Sequence, residues 1–123
     1  MKVLVTDDDE ATRLVLRRLL TRDLNCTVIE AADGADALRQ IAREPVDLLV
    51  LDIVMPQVDG LDTLGALRRD PRFASLPVVV LTADRAEDTV RRVMALGVAD
   101  YLSKPLNIPR VIERLRRLIP SAA

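Results

Sequence analysis

The sequence predicts one α/β domain in which five parallel strands alternate with five helices. Five short runs rich in valine, leucine and isoleucine alternate with segments whose apolar residues recur at helical spacing. Three of these runs are continuously apolar, which is typical of strands covered on both faces. No linker, repeat or low-complexity tract interrupts the alternation, and 123 residues suffice for a single hydrophobic core.

The elements follow from these runs in chain order. The predicted strands are KVLV at 2–5, TVIEA at 27–31, DLLVL at 47–51, PVVVL at 77–81 and ADYL at 99–102. The predicted helices cover 9–21, 34–43, a segment that follows Gly60, 86–96 and 109–118. Pro45, Pro77 and Pro109 separate elements, and Gly97 stands where a left-handed cap would end the fourth helix. We expect the domain to cover 1–119 and the residues 120–123 to form a C-terminal tail.

Composition excludes several classes of function. A net charge of -1 offers no basic field for nucleic acid or an anionic membrane surface. The two aromatic residues, Phe73 and Tyr101, cannot form a base-stacking platform, and no apolar stretch reaches 18 residues. Cys26 is the single cysteine, so neither an intrachain disulfide nor a thiolate metal site can form. Histidine, the commonest general base and transition-metal ligand, is absent. We therefore expect no direct nucleic-acid binding, no membrane contact and a reduced, cytoplasmic setting.

Polar residues stand at the ends of four predicted strands. Asp7, Asp8 and Asp9 follow the first strand, Asp52 ends the third, Thr82 ends the fourth, and Lys104 follows the fifth. Ligands of open parallel sheets bind beyond the carboxyl ends of the strands, where the strand order reverses. If the order is 2-1-3-4-5, Asp7, Asp8 and Asp52 converge, and Thr82 and Lys104 flank them.

The residue types at this edge indicate a particular chemistry. Two or three carboxylates suit a hard cation such as Mg²⁺, which takes few protein ligands and keeps several waters. A hydroxyl and an ammonium beside them can hold phosphoryl oxygens. Together these groups favour phosphoryl transfer onto an aspartate. Acidic residues also favour helix N-termini, so Asp9 is instead the best candidate for a helix cap.

The sequence resembles the receiver domains of bacterial two-component response regulators over essentially its whole length. Four pieces carry the resemblance, in order: Asp7-Asp8, LDIVMPQVDG around Asp52, VVLTAD around Thr82, and DYLSKP around Lys104. It implies a flavodoxin-like doubly wound (βα)5 fold whose five-stranded parallel sheet has the order 2-1-3-4-5.

The resemblance also implies roles for single residues. Asp52 would be the phosphoacceptor, and Thr82 and Lys104 would contact the phosphoryl oxygens. Asp8, Asp52 and the Val54 backbone carbonyl would bind Mg²⁺ directly, while Asp7 would act mostly through water. Thr82 and Tyr101 would form the switch, in which the hydroxyl moves inward and the aromatic ring follows. The peptide before Pro105 would be cis.

The resemblance implies partners as well. The phosphoryl donor would be a histidine kinase or a histidine phosphotransfer protein, and Val15 on the first helix is a candidate docking residue. The output would be a downstream protein target or a fused output domain. Such a chain is a phosphoacceptor that assists its own phosphorylation and dephosphorylation, and not an enzyme with turnover.

Some positions depart from the family pattern or vary within it. Val54 and Asp84, each two residues beyond a site residue, are expected to tune the lifetime of the phosphoryl group. The dipeptide before Tyr101 is Ala99-Asp100, with one acidic residue where receivers that dimerise often have two. A phosphorylation-dependent homodimer stays open, with Asp100 pairing with Arg91, Arg92 or Arg110.

Two other functions use similar residues. An aspartate-nucleophile phosphatase of the haloacid-dehalogenase type would want a second aspartate two residues after the nucleophile, where this chain has Val54. A receiver-like scaffold that is never phosphorylated would not need the full set of site residues.

Overall fold

The computed structural model describes residues 1–54, 60–83 and 86–119. Ten elements alternate along the chain: β1 (Lys2–Thr6), α1 (Glu10–Arg22), β2 (Thr27–Ala31), α2 (Gly34–Arg43), β3 (Leu48–Asp52), α3 (Gly60–Arg69), β4 (Val78–Thr82), α4 (Glu87–Ala95), β5 (Asp100–Ser103) and α5 (Ile108–Leu118). The five strands pair in parallel in the order β2-β1-β3-β4-β5. The predicted fold class and strand order are therefore confirmed.

The sheet has a separate hydrophobic core on each face. Successive strand residues alternate between the two cores, because side chains leave a strand on opposite faces. Val3 and Val5 pack in one core with residues of α1 and α5, and Leu4 packs in the other with residues of α2, α3 and α4. Both faces are thus covered, as the continuously apolar strands predicted.

Four strands extend one residue beyond their predicted carboxyl ends, to Thr6, Asp52, Thr82 and Ser103. These polar residues are paired within the sheet: Thr6 lies opposite Ala31, Asp52 opposite Leu81, and Thr82 opposite Ser103. Asp52 and Thr82 are therefore the last residues of buried strands and not the first residues of loops. Ladder hydrogen bonds fix their backbones, and this rigidity suits a site that needs a defined geometry.

The helix ends agree with the sequence signals. Asp9 caps α1, as predicted, by accepting from the Ala11 N–H at 3.2 Å and the Thr12 hydroxyl at 2.7 Å. Gly97 follows α4 with φ of 74°, which confirms the left-handed cap. The Lys104–Pro105 peptide is cis, again as expected. Three predicted features lie outside the described residues: residues 55–59 of the LDIVMPQVDG motif, Asp84, and the tail at 120–123.

Candidate functional site

Three carboxylates meet at the carboxyl edge of the sheet. One oxygen from each of Asp7, Asp8 and Asp52 lies within 4.8 Å of the others. Asp7 and Asp52 are buried, at 0% and 2% exposure, whereas Asp8 is exposed. Their convergence follows from the topology, because β1 and β3 are neighbours and end at the same edge. The expected convergence of these carboxylates is confirmed.

The Lys104 side chain reaches the same edge from the β5 side of the site. Its Nζ donates to Asp7 Oδ2 at 2.7 Å and to Asp52 Oδ2 at 3.2 Å. The Lys104 backbone N–H donates to the Thr82 carbonyl at 2.8 Å, so the residue that follows β5 stays tied to the end of β4. The lysine ammonium thus bridges the two buried carboxylates.

Burial and crowding change the acidity of these groups. The pKa of Asp52 is raised, chiefly by burial and further by the Asp7 charge, against the opposing effects of the Val54 N–H and Lys104. Burial also acts to lower the pKa of Lys104, but the hydrogen bond and charge of Asp7, with those of Asp52, outweigh it and raise the pKa. The negative charge of Asp7 beside the buried Asp52 therefore disfavours ionisation of the Asp52 carboxyl.

The donor set fits a hard divalent cation. Every candidate side-chain ligand is a carboxylate oxygen, and Mg²⁺ prefers one or two carboxylates together with water. The exposed Asp8 leaves the cluster open toward solvent, from which those waters would come. The Asp52 side chain is oriented independently of any cation, because the Val54 N–H donates to its Oδ1 at 3.0 Å.

Thr82 and Tyr101 lie on the same face of neighbouring strands. Thr82 is fully buried, two residues beyond Val80, and Val80 lies opposite Tyr101 in the β4–β5 pairing. Tyr101 is half-buried and packs against the core that α4 covers. The aromatic ring therefore lies along the same side of the sheet as the threonine, one register step away from it.

Other predicted residues lie around this centre. The Val54 side chain is 54% exposed, so an apolar group faces solvent beside Asp52. Asp9 is exposed and serves as the α1 cap, and the hydrogen bonds from Thr12 and then Ala11 lower its pKa. Val15 is 42% exposed and lines an apolar groove of about 240 Å³. This groove, here called the α1 groove, is lined by Ala11, Thr12, Val15, Lys104, Leu106 and Ile108.

Sequence reasoning missed two features of this region. Gly60 passes so close to the end of β3 that a Cβ there would lie 2.5 Å from the Asp52 carbonyl oxygen. The only signal in the sequence was that this residue is glycine, which can mark a close approach of two backbone segments. Arg13 donates to the Asp7 carbonyl at 2.6 Å, and nothing in the spacing distinguished it from other helical arginines.

Asp100 is paired within the chain. It accepts from Arg114 Nη1 at 2.8 and 3.0 Å. The pairs with Arg91, Arg92 or Arg110 were expected across a homodimer, which a single chain does not test, and they stay a prediction.

The fold and these residues define a flavodoxin-like α/β domain with an acidic, lysine-bridged site where its strand order reverses. The sequence model of the response regulator receiver domain family matches residues 3–116. Response regulator MprA of Mycobacterium leprae is 41% identical over 121 residues, which make up 97% of this chain and 51% of that protein. The chain thus spans about half the length of the curated relatives it matches first.

Solved structures of receiver proteins also match this chain. Chemotaxis protein CheY4 of Vibrio cholerae matches with a TM-score of 0.87 at 28% identity, over 96% of this chain and 98% of that one. The receiver domain of Francisella response regulator 1452 matches with a TM-score of 0.84 at 32% identity, over 95% and 94% of the two chains. The chain belongs to the response regulator receiver domain family of two-component signalling. Domains of this family generally signal and are not enzymes. No helix in the described part of the chain is both long and apolar enough to cross a membrane.

Proposed function

We propose that this receiver accepts a phosphoryl group on Asp52 from a phosphohistidine, borne by a histidine kinase or a histidine phosphotransfer protein. The observation that supports it best is the Lys104 ammonium, 3.2 Å from Asp52 and 2.7 Å from Asp7 at the edge where three carboxylates meet. A buried carboxylate beside an ammonium can act as a nucleophile that is held in place and then stabilised as an acyl phosphate.

In the transfer step an Asp52 oxygen attacks phosphorus, the phosphorus–nitrogen bond breaks, and the imidazole leaves. The Val54 N–H holds the Asp52 carboxylate in a fixed orientation for this attack. Lys104 and the Thr82 hydroxyl would then bind the phosphoryl oxygens, since both residues stand at the same sheet edge. Bound Mg²⁺ would neutralise charge on the transferring group. Asp8, Asp52 and the Val54 carbonyl would hold it, with Asp7 acting through water.

The output of the domain is a change of packing. We infer that Thr82 moves toward the phosphoryl group and that Tyr101, on the same side of the sheet, turns inward after it. The face formed by α4, β5 and α5 would thereby change its shape for a downstream target, a fused output domain or a second copy of the chain.

The α1 groove would receive the phosphoryl donor. Val15 and Ile108 supply apolar contacts, and Lys104 lies at the end that adjoins Asp52. A donor helix seated there would bring its phosphohistidine to the acidic cluster. We place this encounter in the cytoplasm, where thiols such as Cys26 stay reduced.

The first experiment is to incubate the protein with Mg²⁺ and acetyl phosphate and to record its intact mass. We expect a gain of one phosphoryl group that is absent in Asp52→Asn and in a chelator-treated sample. No gain by the folded protein would favour the scaffold function. Phosphate release over many turnovers would favour the phosphatase, although Val54 stands where that class wants its second aspartate.

The lifetime of the phosphoryl group gives a second test. The exposed Val54 side chain cannot hydrogen-bond an attacking water, whereas asparagine at this position can. We expect Val54→Asn to shorten the half-life of the phosphorylated protein, measured by the decay of the phosphorylated mass after acetyl phosphate is removed. Equal decay rates would contradict this role for Val54.

A further inference from the structure

Arg13 links helix α1 to the backbone of the acidic cluster. Its Nη1 donates to the Asp7 carbonyl at 2.6 Å, and its Nε lies 3.3 Å from Glu30 Oε1. The side chain is only 17% exposed although it carries a full charge. A guanidinium with two neighbouring donors can hold a carbonyl and a carboxylate at once, which a lysine ammonium does less rigidly.

The carbonyl that Arg13 contacts belongs to the peptide between Asp7 and Asp8. The peptide before Asp7 is also fixed, because the Asp7 N–H donates to the Ala31 carbonyl at 3.2 Å. The Asp9 N–H in turn donates to Asp7 Oδ1 at 2.9 Å. Arg13 thus holds the planar peptide before Asp8, and the Asp9 N–H bond holds the planar peptide after it. Together the two planes set the direction in which the Asp8 side chain leaves the backbone.

Glu30 holds the arginine from the other side. It lies in β2 opposite Val5 of β1, so its backbone belongs to the sheet. Glu30 also pairs with Arg17, whose Nη1 lies 3.1 Å from Glu30 Oε2 and whose side chain is 50% exposed. One carboxylate therefore binds two arginines of α1, and of these two Arg13 extends further to the acidic cluster.

We propose that Arg13 is a positioning residue for the cation site: by holding the Asp7 carbonyl, it orients Asp8 toward Asp7 and Asp52. This inference rests on the proposed function, because it concerns the same Mg²⁺ site. The contacts of Arg13 are the Asp7 carbonyl and Glu30, so it would act through the backbone of the ligands.

Charge and positioning predict opposite effects of removing Arg13. A guanidinium near a cation site repels the cation, so its loss would tighten Mg²⁺ binding if charge alone mattered. Loss of the hydrogen bond to the Asp7 carbonyl would instead weaken binding, because residues that orient metal ligands typically contribute about tenfold or more to metal affinity. The sign of the change therefore distinguishes the two accounts.

The test compares wild type, Arg13→Met and Arg17→Met in a Mg²⁺ titration followed by NMR of the backbone amides. Methionine keeps the helix propensity of arginine and removes one charge in each variant. We expect Arg13→Met to weaken Mg²⁺ binding about tenfold, and Arg17→Met to bind as wild type or slightly tighter. In metal-free protein, Arg13→Met alone should shift the Asp8 amide resonance and speed hydrogen exchange at Asp9.

Three outcomes would overturn the proposal. Mg²⁺ binding by Arg13→Met at or above wild-type affinity refutes the positioning role and leaves the proposed function intact. Equal weakening in Arg17→Met would mean that loss of any pairing with Glu30 suffices. Absence of Mg²⁺ binding by wild type would remove the cation site itself, and the role of Arg13 with it. Titrations are run well below each variant's melting temperature, so that a loss of stability is not mistaken for a loss of affinity.

Discussion

The two ends of the sheet each carry one of the chain's two lysines, and they use them differently. At the amino end, Lys2 pairs with Glu44, and both side chains are partly exposed, at 29% and 48%. At the carboxyl end, Lys104 pairs with Asp7 and Asp52, whose side chains are 0% and 3% exposed. The same kinds of charged group thus form a solvated surface pair at one end and a buried cluster at the other.

The two ends differ in how much the stability of the folded protein depends on the lysine. An exposed ion pair contributes about 0–1 kcal/mol, because water solvates either partner when the other is lost. A buried carboxylate without its cationic partner is destabilised much more, since little water reaches it. The carboxyl end therefore holds charge that lowers stability unless Lys104 or a bound cation compensates it. Such a cost is expected where a site is built for binding.

The largest effect should come from removing each lysine in turn. We expect Lys104→Met to lower the free energy of unfolding at pH 7 by about 2–3 kcal/mol, somewhat below the usual cost of breaking a buried ion pair because Lys104 is 21% exposed. Lys2→Met should cost less than about 1 kcal/mol. Urea unfolding of both variants beside wild type measures the two changes.

Added Mg²⁺ sharpens this comparison. A cation that binds the folded state raises stability, and the acidic cluster without its lysine should bind Mg²⁺ more tightly. We therefore expect added Mg²⁺ to raise the free energy of unfolding of Lys104→Met more than that of wild type. Lys2→Met should gain the same amount as wild type. Equal losses in the two lysine variants without Mg²⁺ would show that the two ends do not differ as described.

Asp52→Asn should act in the opposite direction. Burial and the Asp7 charge raise the pKa of Asp52, so its ionisation costs the folded state more than the unfolded chain. This cost is present in full above the raised pKa and disappears as the pH falls toward about 3.9, the ordinary aspartate value. Asparagine lacks the charge at every pH. We expect a gain of about 1 kcal/mol at pH 7.5 that shrinks toward pH 4.5.

Unfolding curves of Asp52→Asn and wild type across this pH range test the sign. The matched control is Asp47→Asn at the amino end, where the Asp47 carboxylate accepts the Lys2 backbone N–H at 2.7 Å in an exposed setting. We expect no stabilisation from that change. A loss of stability in Asp52→Asn at neutral pH would mean that the ion pair with Lys104 outweighs burial and repulsion by Asp7.

Local patterns predicted the alternation of strands and helices, and the resemblance to receiver domains supplied the strand order. Continuous apolar runs identify buried parallel strands, and the polar residues that end them must share one edge. The order 2-1-3-4-5 then brings Asp7, Asp52 and Lys104 together on that edge. The strand bounds were one residue short at four carboxyl ends because a polar residue such as Thr82 can remain paired in the sheet.

Contacts between distant elements could not be predicted in this way. Asp100 pairs with Arg114 within the chain, and this pairing depends on how α5 packs against the sheet, which no local pattern records. Arg13 looks in sequence like any surface arginine of α1, and its bond to the Asp7 carbonyl depends on the packing of that helix. Gly60 matters because the chain returns against β3 there, a contact that spacing alone does not reveal.

The last effect concerns Thr6, at the carboxyl end of the strand that begins with Lys2. Thr6 is fully buried, and its hydroxyl is the one buried side-chain polar atom among the described residues that has no hydrogen-bond partner. An unsatisfied buried hydroxyl is unfavourable, and valine has nearly the same shape without it. We expect Thr6→Val to raise the free energy of unfolding by about 1 kcal/mol, and Thr27→Val, on the exposed start of β2, to change it by less than about 0.5 kcal/mol. If Thr6→Val is neutral or destabilising, the Thr6 hydroxyl has a hydrogen-bond partner in solution. The hydroxyl is then not one of the groups that lower stability at the carboxyl end of the sheet.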